Sequence, residues 1–503
     1  MLLVDNEIAW IGSDSDAHSL LDSTDVVVDV GGALVTPGFV DAHVHMTSTG
    51  LVLDGLDLSQ VRSRRELLDA VAHHAAAQPG GVLLGHGWDE TTWRGEDGDR
   101  TPPTRTEIDA ACGNRPAYLT RIDVHSALVS TALIRDVPGV EEAEGFDPTG
   151  ALSREAHHQV RAFALASVDG QQRRRAHLRV LEHAARRGIV CLQENAGPAI
   201  SSETDLIELL KTSTDFNGPR VSAYWAELAQ TGGIERAREL GAIGVAGDLF
   251  VDGAIGSRTA CLCGPYADSP DKTGAAYLDS DDVAEHVASA SRAGVQAGFH
   301  VIGDQACHTV VAGILRAAET VGEECIRASV HRLEHAEMLS DADIAVMARL
   351  GIVASMQPMF DALWGDPGGM YEQRLGMARS SRMNRIKELH SRQVPVAFSS
   401  DSPVTEMDPW LGIRAAVLHH THAERVDVET AIDLHSRGGW HAMRVDAAGT
   451  LAAGAPAHVS IWKTESAAVP DFTFDEALPQ CLATIVDGRV IYSSGELELS
   501  QAP

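Results

Sequence analysis

Apolar positions along the chain follow two periods. Short β-branched or apolar runs that end in a polar group recur at Val35–His45, 188–194, 221–227, 247–252, 295–300, 329–335, 351–357 and 394–401. Runs of this length, bounded by turn residues, predict buried strands. Between them lie stretches with apolar residues every three or four positions, such as 171–185 and 340–350, which predict helices. Strand alternating with helix, eight times over, predicts a parallel (β/α)8 TIM-type barrel.

Both ends read differently. Residues 8–14 and 26–32, and again 457–462 and 483–492, are short strand patterns broken by Gly and Asp. The two termini are therefore expected to share a small β-sandwich domain, with residues 1–36 as its N-terminal part and 441–503 as its C-terminal part. The barrel is expected over 37–440, with an insertion at about 50–170 lying over its mouth. No repeat of solenoid or propeller period is present.

Charge narrows the choice of partner. Forty basic residues face 71 acidic ones, a formal net charge of −31. Such a surface repels nucleic acid and anionic membranes, so the expected partner is a small-molecule substrate, with a homodimer left open. Met1-Leu-Leu-Val-Asp-Asn-Glu-Ile carries acids where a signal peptide carries Lys or Arg, and no apolar stretch is long enough to span a bilayer; a cytoplasmic location is expected. Seven scattered cysteines without a Cys-x-x-Cys pair fit reduced thiols.

The first run ends in His43-Val-His45. Side chains alternate along a strand, so these two histidines share a face and can share one cation. Three later runs end in His300, His335 and Asp401. Barrel strands deliver their last residues to one mouth, where such groups converge as ligands.

The order of Thr36-Pro-Gly-Phe-Val-Asp-Ala-His-Val-His45, Gly85-His-Gly-Trp-Asp89 with Trp93, Asp123-Val-His-Ser-Ala127, Val251–Ala260, His300–Ala306, Arg332-Leu-Glu-His-Ala336 and Ser400-Asp-Ser-Pro-Val404 resembles the amidohydrolase superfamily, and within it the YtcJ-like branch that includes N-substituted formamide deformylases. The resemblance implies a metal-dependent hydrolase acting on a non-peptide carbon–nitrogen bond, amide or formamide-like. It implies one or two divalent ions, zinc foremost, held by His43, His45, His300 and His335. Asp401 matches the eighth-strand carboxylate, a further candidate metal ligand beside a metal-activated water; Asp401 and His335 are the candidate catalytic groups. Many relatives carry a bridging carboxylated lysine on the fourth strand, where this chain has Asp248. Aspartate is several bonds shorter, so a bridge from Asp248 is expected to be strained or absent, and Glu194, ending the second strand, is the expected additional ligand.

Trp88, Asp89, His125, Asp252 and Arg258 are the candidate substrate-binding residues. His125 could donate to a carbonyl or oxyanion, and Arg258 could clamp a substrate carboxylate or pair with Asp252. Asp304, after His300, is expected to orient that ligand strand. Two other readings remain: a mononuclear deaminase of a heterocycle, kept open by the missing lysine, and a catalytically inactive amidohydrolase-like binding protein.

Overall fold

The apolar runs become eight parallel strands: β1 (Phe39–Val44), β2 (Ile189–Ala196), β3 (Arg220–Trp225), β4 (Gly244–Val245), β5 (Gln296–Val301), β6 (Arg332–His335), β7 (Val353–Met356) and β8 (Val396–Phe398), paired in that order. The computed structural model describes all residues except 18, 21–25, 79, 95–99, 466–467, 473–476 and 502–503. Every residue of β1, β2 and β5 to β8 is buried. Helices cover the outer face and side chains fill the inner one, which is why these runs lack a polar alternation. The ring closes just beyond β8, where Val44 bridges Ser402, Asp401 N–H donates to His43 O at 2.9 Å and His45 N–H donates to Ser402 O at 2.9 Å. Closure and candidate ligands therefore fall on the same residues.

One strand differs from its sequence pattern. The run at 247–252 predicts a continuous fourth strand, whereas β4 ends at Val245. Gly247 has φ +87°, a left-handed conformation that breaks a strand. The chain rejoins the sheet afterwards, with His300 N–H donating to Leu249 O at 3.1 Å and Val251 N–H to His300 O at 3.0 Å.

After β1 the chain forms the helix Met46–Asp54 and then a second sheet, ordered Ala151–Ser153, Ser126–Val129, Ala117–Arg121, Leu83–Trp88 and Leu56–Asp57. This sheet has its own apolar core, including Leu58, Leu67, Leu83, Trp88, Trp93 and Leu119. Helices Arg154–Ala166 and Gly170–Arg186 return the chain to β2.

At the other end of the barrel, Leu34–Pro37 joins Val459–Lys463, Gln480–Val486 and Arg489–Ser493 in an antiparallel sheet, so residues from both termini share it. Trp462 fastens this sheet to the barrel. Its ring meets Trp410 edge-on, 5.4 Å between centroids, and Phe39 of β1 at 5.6 Å, while its indole N–H donates within the sheet to Thr36 Oγ1 at 2.9 Å. Among the described residues no helix is long and apolar enough to cross a membrane.

The helix Met46–Asp54 sits close to Gly170–Arg186 because Gly50 lacks a side chain: a Cβ there would lie 2.1 Å from Ala176 O. Backbone cannot yield as a flexible side chain can, so Gly50→Val is expected to lower the thermal midpoint markedly, by about 2–3 kcal/mol of stability. Gly170→Ala, in a helix with nothing within 4 Å of the new Cβ, should leave the midpoint unchanged or raise it. Thermal unfolding of the two variants checks this; a Gly50→Val midpoint equal to wild type would remove the close-approach argument.

Candidate metal centre

The ends of the barrel strands bring four imidazoles and two carboxylates together. His43 is the penultimate residue of β1 with His45 just beyond the strand, His300 is the penultimate residue of β5, His335 ends β6, Asp248 follows β4 and Asp401 follows β8. Asp248 lies among all four histidines. Its Oδ1 is 3.5 Å from His43 Nε2, 3.4 Å from His300 Nδ1 and 3.8 Å from His335 Nε2, and its Oδ2 is 3.1 Å from His45 Nε2. Asp401 Oδ1 lies 3.4 Å from His43 Nε2 and 3.2 Å from His45 Nε2. Three overlapping groups could each hold an ion: His43, His45 and Asp248; Asp248, His300 and His335; and His43, His335 and Asp401.

These residues fit a divalent cation. His43 Nε2, Asp248 Oδ1, His300 Nδ1 and His335 Nε2 are buried without a hydrogen-bond partner among the described residues. Such orphaned polar atoms are costly unless something satisfies them. Separations of 3.1–3.8 Å suit pairs of donors that each reach one ion at about 2.0–2.2 Å.

The surrounding bonds also fix the tautomers. His43 Nδ1 lies 2.9 Å from Glu334 Oε2, and a carboxylate only accepts, so Nδ1 donates and Nε2 turns its lone pair inward. His335 Nδ1 donates likewise to Gln357 Oε1 at 2.8 Å, while Gln357 Nε2 donates to Ser399 Oγ at 2.9 Å. Behind Glu334 stands Arg332, fully buried, whose Nη2 donates to Glu334 Oε2 at 2.9 Å and to Ala42 O at 2.6 Å and whose Nη1 donates to Gln193 Oε1 at 2.6 Å. Burial raises the Glu334 carboxyl, but Arg332 and His43 outweigh it and hold the group at about 2.

Backbone strain sits at the same positions. His335 has φ +68°, Ala336 +49° and Asp401 +53°. Left-handed conformations at non-glycine residues cost of order 1–3 kcal/mol each. At His335 the twist lets adjacent Glu334 and His335 both face the centre, which a regular strand forbids.

The two carboxylates stand where the sequence does not suggest. Asp248 was expected to fall short, yet it occupies the middle of the histidine ring. The reach comes from the backbone: the positive φ of Gly247 turns the chain inward, and a Cβ there would meet Asn195 Oδ1 at 2.7 Å. Glu194, the carboxylate expected to ligate, instead accepts from Met46 N–H at 2.6 Å and belongs to none of the three groups. Burial, opposed by His45 and by that N–H, lifts it to about 7.

The candidate substrate residues divide. His125 lines a small cavity together with His300, His335 and Asp401. Its ring centroid is 5.1 Å from that of His300, and burial and the His300 charge hold it well below its ordinary value, as a neutral imidazole. Trp88 faces away: its indole N–H donates to Leu119 O at 2.8 Å inside the core of the inserted sheet. Asp89 accepts from Arg121 Nη2 at 2.7 Å, from Thr91 and from the indole N–H of Trp364, so it acts on the cavity wall through Trp364. Asp252 accepts from Cys261, Ile302 and Gly303 N–H at 2.8–3.0 Å and holds the loops after β4 and β5 together. Arg258 pairs with neither substrate space nor Asp252; it makes two bonds to Asp268, at 3.0 and 2.7 Å. Asp304 accepts from Cys263 N–H at 2.9 Å and belongs to none of the three groups.

Sequence reasoning missed Glu337 and Tyr371, which meet at 2.6 Å on the cavity wall, and the lining rings of Phe360 and Trp364. Glu337, two residues beyond His335, was the readable one of these. The aromatics sit on helices Pro358–Trp364 and Met370–Leu375 after β7, where apolar spacing also fits ordinary packing.

The amidohydrolase family profile matches residues 26–492. The putative amidohydrolase YtcJ of Bacillus subtilis (strain 168) is 26% identical over 510 residues, covering 92% of this chain and 90% of that protein. An N-substituted formamide deformylase of Arthrobacter pascens is 24% identical over 527 residues, covering 98% and 94%. Among solved structures, an uncharacterized metal-dependent hydrolase from Pyrococcus furiosus superposes with a TM-score of 0.69 at 26% identity, covering 91% of this chain and 93% of the other.

The ring geometry orders the variants by metal content. Elemental analysis of chelator-free preparations is expected to find most of the metal lost in Asp248→Ala, His300→Ala and His335→Ala and retained in Glu194→Gln. Retention in Asp248→Ala together with loss in Glu194→Gln would reverse the assignment.

Proposed function

The chain belongs to the amidohydrolase family, and from that premise we propose that it is a metal-dependent hydrolase that cleaves a non-peptide carbon–nitrogen bond, an amide or N-substituted formamide, giving a carboxylic acid and an amine. The observation that carries the reading is the set of inward-facing, unpartnered atoms on His43, Asp248, His300 and His335, with Asp401 alongside. The names of the Bacillus and Arthrobacter relatives support the bond type.

In this reading His43, His45, His300 and His335 with Asp248 hold one or two ions, zinc suiting the imidazole and carboxylate donors. A divalent ion bound there would acidify a water and polarise the scissile carbonyl. Asp401 is the proton carrier. Burial would raise its carboxyl, but His43 beside it, by charge and hydrogen bond, outweighs this and holds it well below the usual carboxylate range in the metal-free site, so it is ionised there. It takes a proton from the attacking water and returns it to the leaving nitrogen, which departs as the amine. His335 combines ligation with positioning, its ring fixed by Gln357. Neutral His125 can donate to the carbonyl oxygen from the cavity side. Phe360, Trp364 and Ile255 make much of the cavity wall apolar and exclude water around the reacting group.

Asp401→Asn is expected to keep most of the metal while kcat falls about 100- to 10,000-fold, the usual contribution of a positioned proton carrier. The assay is a panel of N-substituted formamides, simple amides and amino-heterocycles on metal-loaded protein, reading formate, other carboxylates and ammonia separately. Formate or carboxylate release supports amide hydrolysis. Ammonia from the heterocycles alone would replace it with deamination, and no turnover by fully loaded protein would favour the binding-protein reading.

A further inference from the structure

The cavity beside His125 is one approach to the centre, and a second lies on the β1 to β3 side. His45 and Glu194 line a large cleft, open to solvent, together with Arg161, Ala162, Leu165 and Ala166 of the helix Arg154–Ala166. Three arginines line it. Arg173 is paired with Glu208 at 2.8 Å, and Arg236 with Glu203 at 3.2 Å and Glu239 at 2.7 Å. Arg161 is different: it is 6% exposed, and among the described residues it has no carboxylate within 4.0 Å and no hydrogen bond.

This side chain is mostly buried, and its guanidinium meets neither a carboxylate nor another acceptor among the described residues; such a group is poised for an incoming anion. In a chain of net charge −31, carboxylates are plentiful, and the other two arginines of the cleft have taken them. The other carboxylates lining the cleft are committed elsewhere: Glu194 to Met46 N–H, Asp205 to Thr47 and His177, Glu203 to Arg236 and Glu227 to the Trp225 indole N–H. Neighbours of Arg161 on its own helix are neutral. His157 bonds the Tyr118 hydroxyl at 2.9 Å, and burial, followed by the Arg161 charge, lowers both His157 and His158.

We propose that Arg161 anchors a carboxylate on the substrate, lying in the cleft between this guanidinium and the centre at His45. The proposal takes over the anion-binding role expected of Arg258, whose guanidinium is occupied by Asp268. It rests on the hydrolytic reading above and adds a substrate class: N-acyl or N-formyl compounds bearing an acid group. Guanidinium and carboxylate meet in a two-bond fork, and the low-dielectric wall strengthens it.

Two measurements on metal-loaded protein test this. The first is calorimetric binding of succinate and of neutral succinamide to wild type, Arg161→Gln and Arg161→Lys, with thermal midpoints of the ligand-free proteins. Succinate affinity is expected to fall at least 10-fold in Arg161→Gln and partly recover in Arg161→Lys, while the midpoint holds or rises because an unpaired buried charge has gone. Unchanged succinate affinity with a lowered midpoint would make Arg161 structural and overturn the proposal. The second compares kcat/KM for N-formyl amino acids and their methyl esters; a preference for the free acids that disappears in Arg161→Gln supports the anchor, and equal rates in wild type overturn it. If no amide is hydrolysed but succinate binding still depends on Arg161, the hydrolytic reading fails and the anion site stands.

Discussion

The concentration of buried charge at the barrel mouth is the constraint on which the rest depends. Asp248 and Asp401 lie among His43, His45, His300 and His335, all nearly inaccessible to water. Two carboxylates in such a place must be balanced by protons on the imidazoles or by a cation. In the described structure burial pulls His45 down, yet Asp248 and Asp401 overcome it and raise the ring to about 9. A divalent ion would do the same neutralisation with shorter contacts and without requiring imidazolium. The buried Arg332–Glu334 pair answers a related need. It supplies a carboxylate to His43 Nδ1 and is itself neutralised by Arg332, so orienting the ligand adds no net charge to the interior.

That constraint extends into the insertion. Arg121, nearly inaccessible, bonds Asp89, Glu90 and Asp123; Arg374 bonds Glu90, Asp268 and Gly256 O. The chain of ion pairs ties the inserted sheet to the loops after β4 and β7, above the cavity. Ser257 joins it by donating to Asp123 at 2.8 Å. Because every arginine in this belt is saturated, the belt closes the top of the cavity without presenting a cation to its interior. His86, on the insertion's Leu83–Trp88 strand, adds a contact to Pro403 O at 2.9 Å and so steadies the turn that carries Asp401. A sheet separate in sequence from the strands after β1 thus holds the site from above.

Much of the barrel was legible because burial on both faces leaves a signature in single runs of residues. His43, His45, His300, His335 and Asp401 could be picked out because each ends such a run. Asp248 could not be weighed correctly, since its reach depends on the φ of Gly247 and not on the length of its side chain. Arg258 offers the converse case. Its guanidinium meets Asp268 through a loop whose course no periodicity describes, and Asp252, nearer in sequence, turns to backbone N–H groups. Trp88 shows the ambiguity of a buried aromatic: the motif around it marks the family, while the side chain packs inside the inserted sheet. The absence of a partner, which distinguishes Arg161, is a property of three dimensions alone and has no trace in sequence.

The two spaces beside the centre differ in a way that bears on how a substrate would lie. The cavity on the β4 to β8 side is small and largely apolar, with neutral His125 and the hydrogen-bonded Glu337–Tyr371 pair on its walls. Burial lifts Glu337 to about 7, against the Tyr371 hydroxyl and the His335 charge. A compact acyl or formyl group suits such walls. The cleft on the β1 to β3 side is larger, open, and holds the unpaired guanidinium of Arg161. A substrate with its acyl end toward His125 and an acid-bearing amine end toward Arg161 would place the scissile carbonyl between His335 and His45. Asp401 lies 3.2 Å from His45 and also lines the cavity, so under the proposed hydrolysis it would stand between the two spaces, where one proton carrier could serve both an attacking water and a leaving nitrogen.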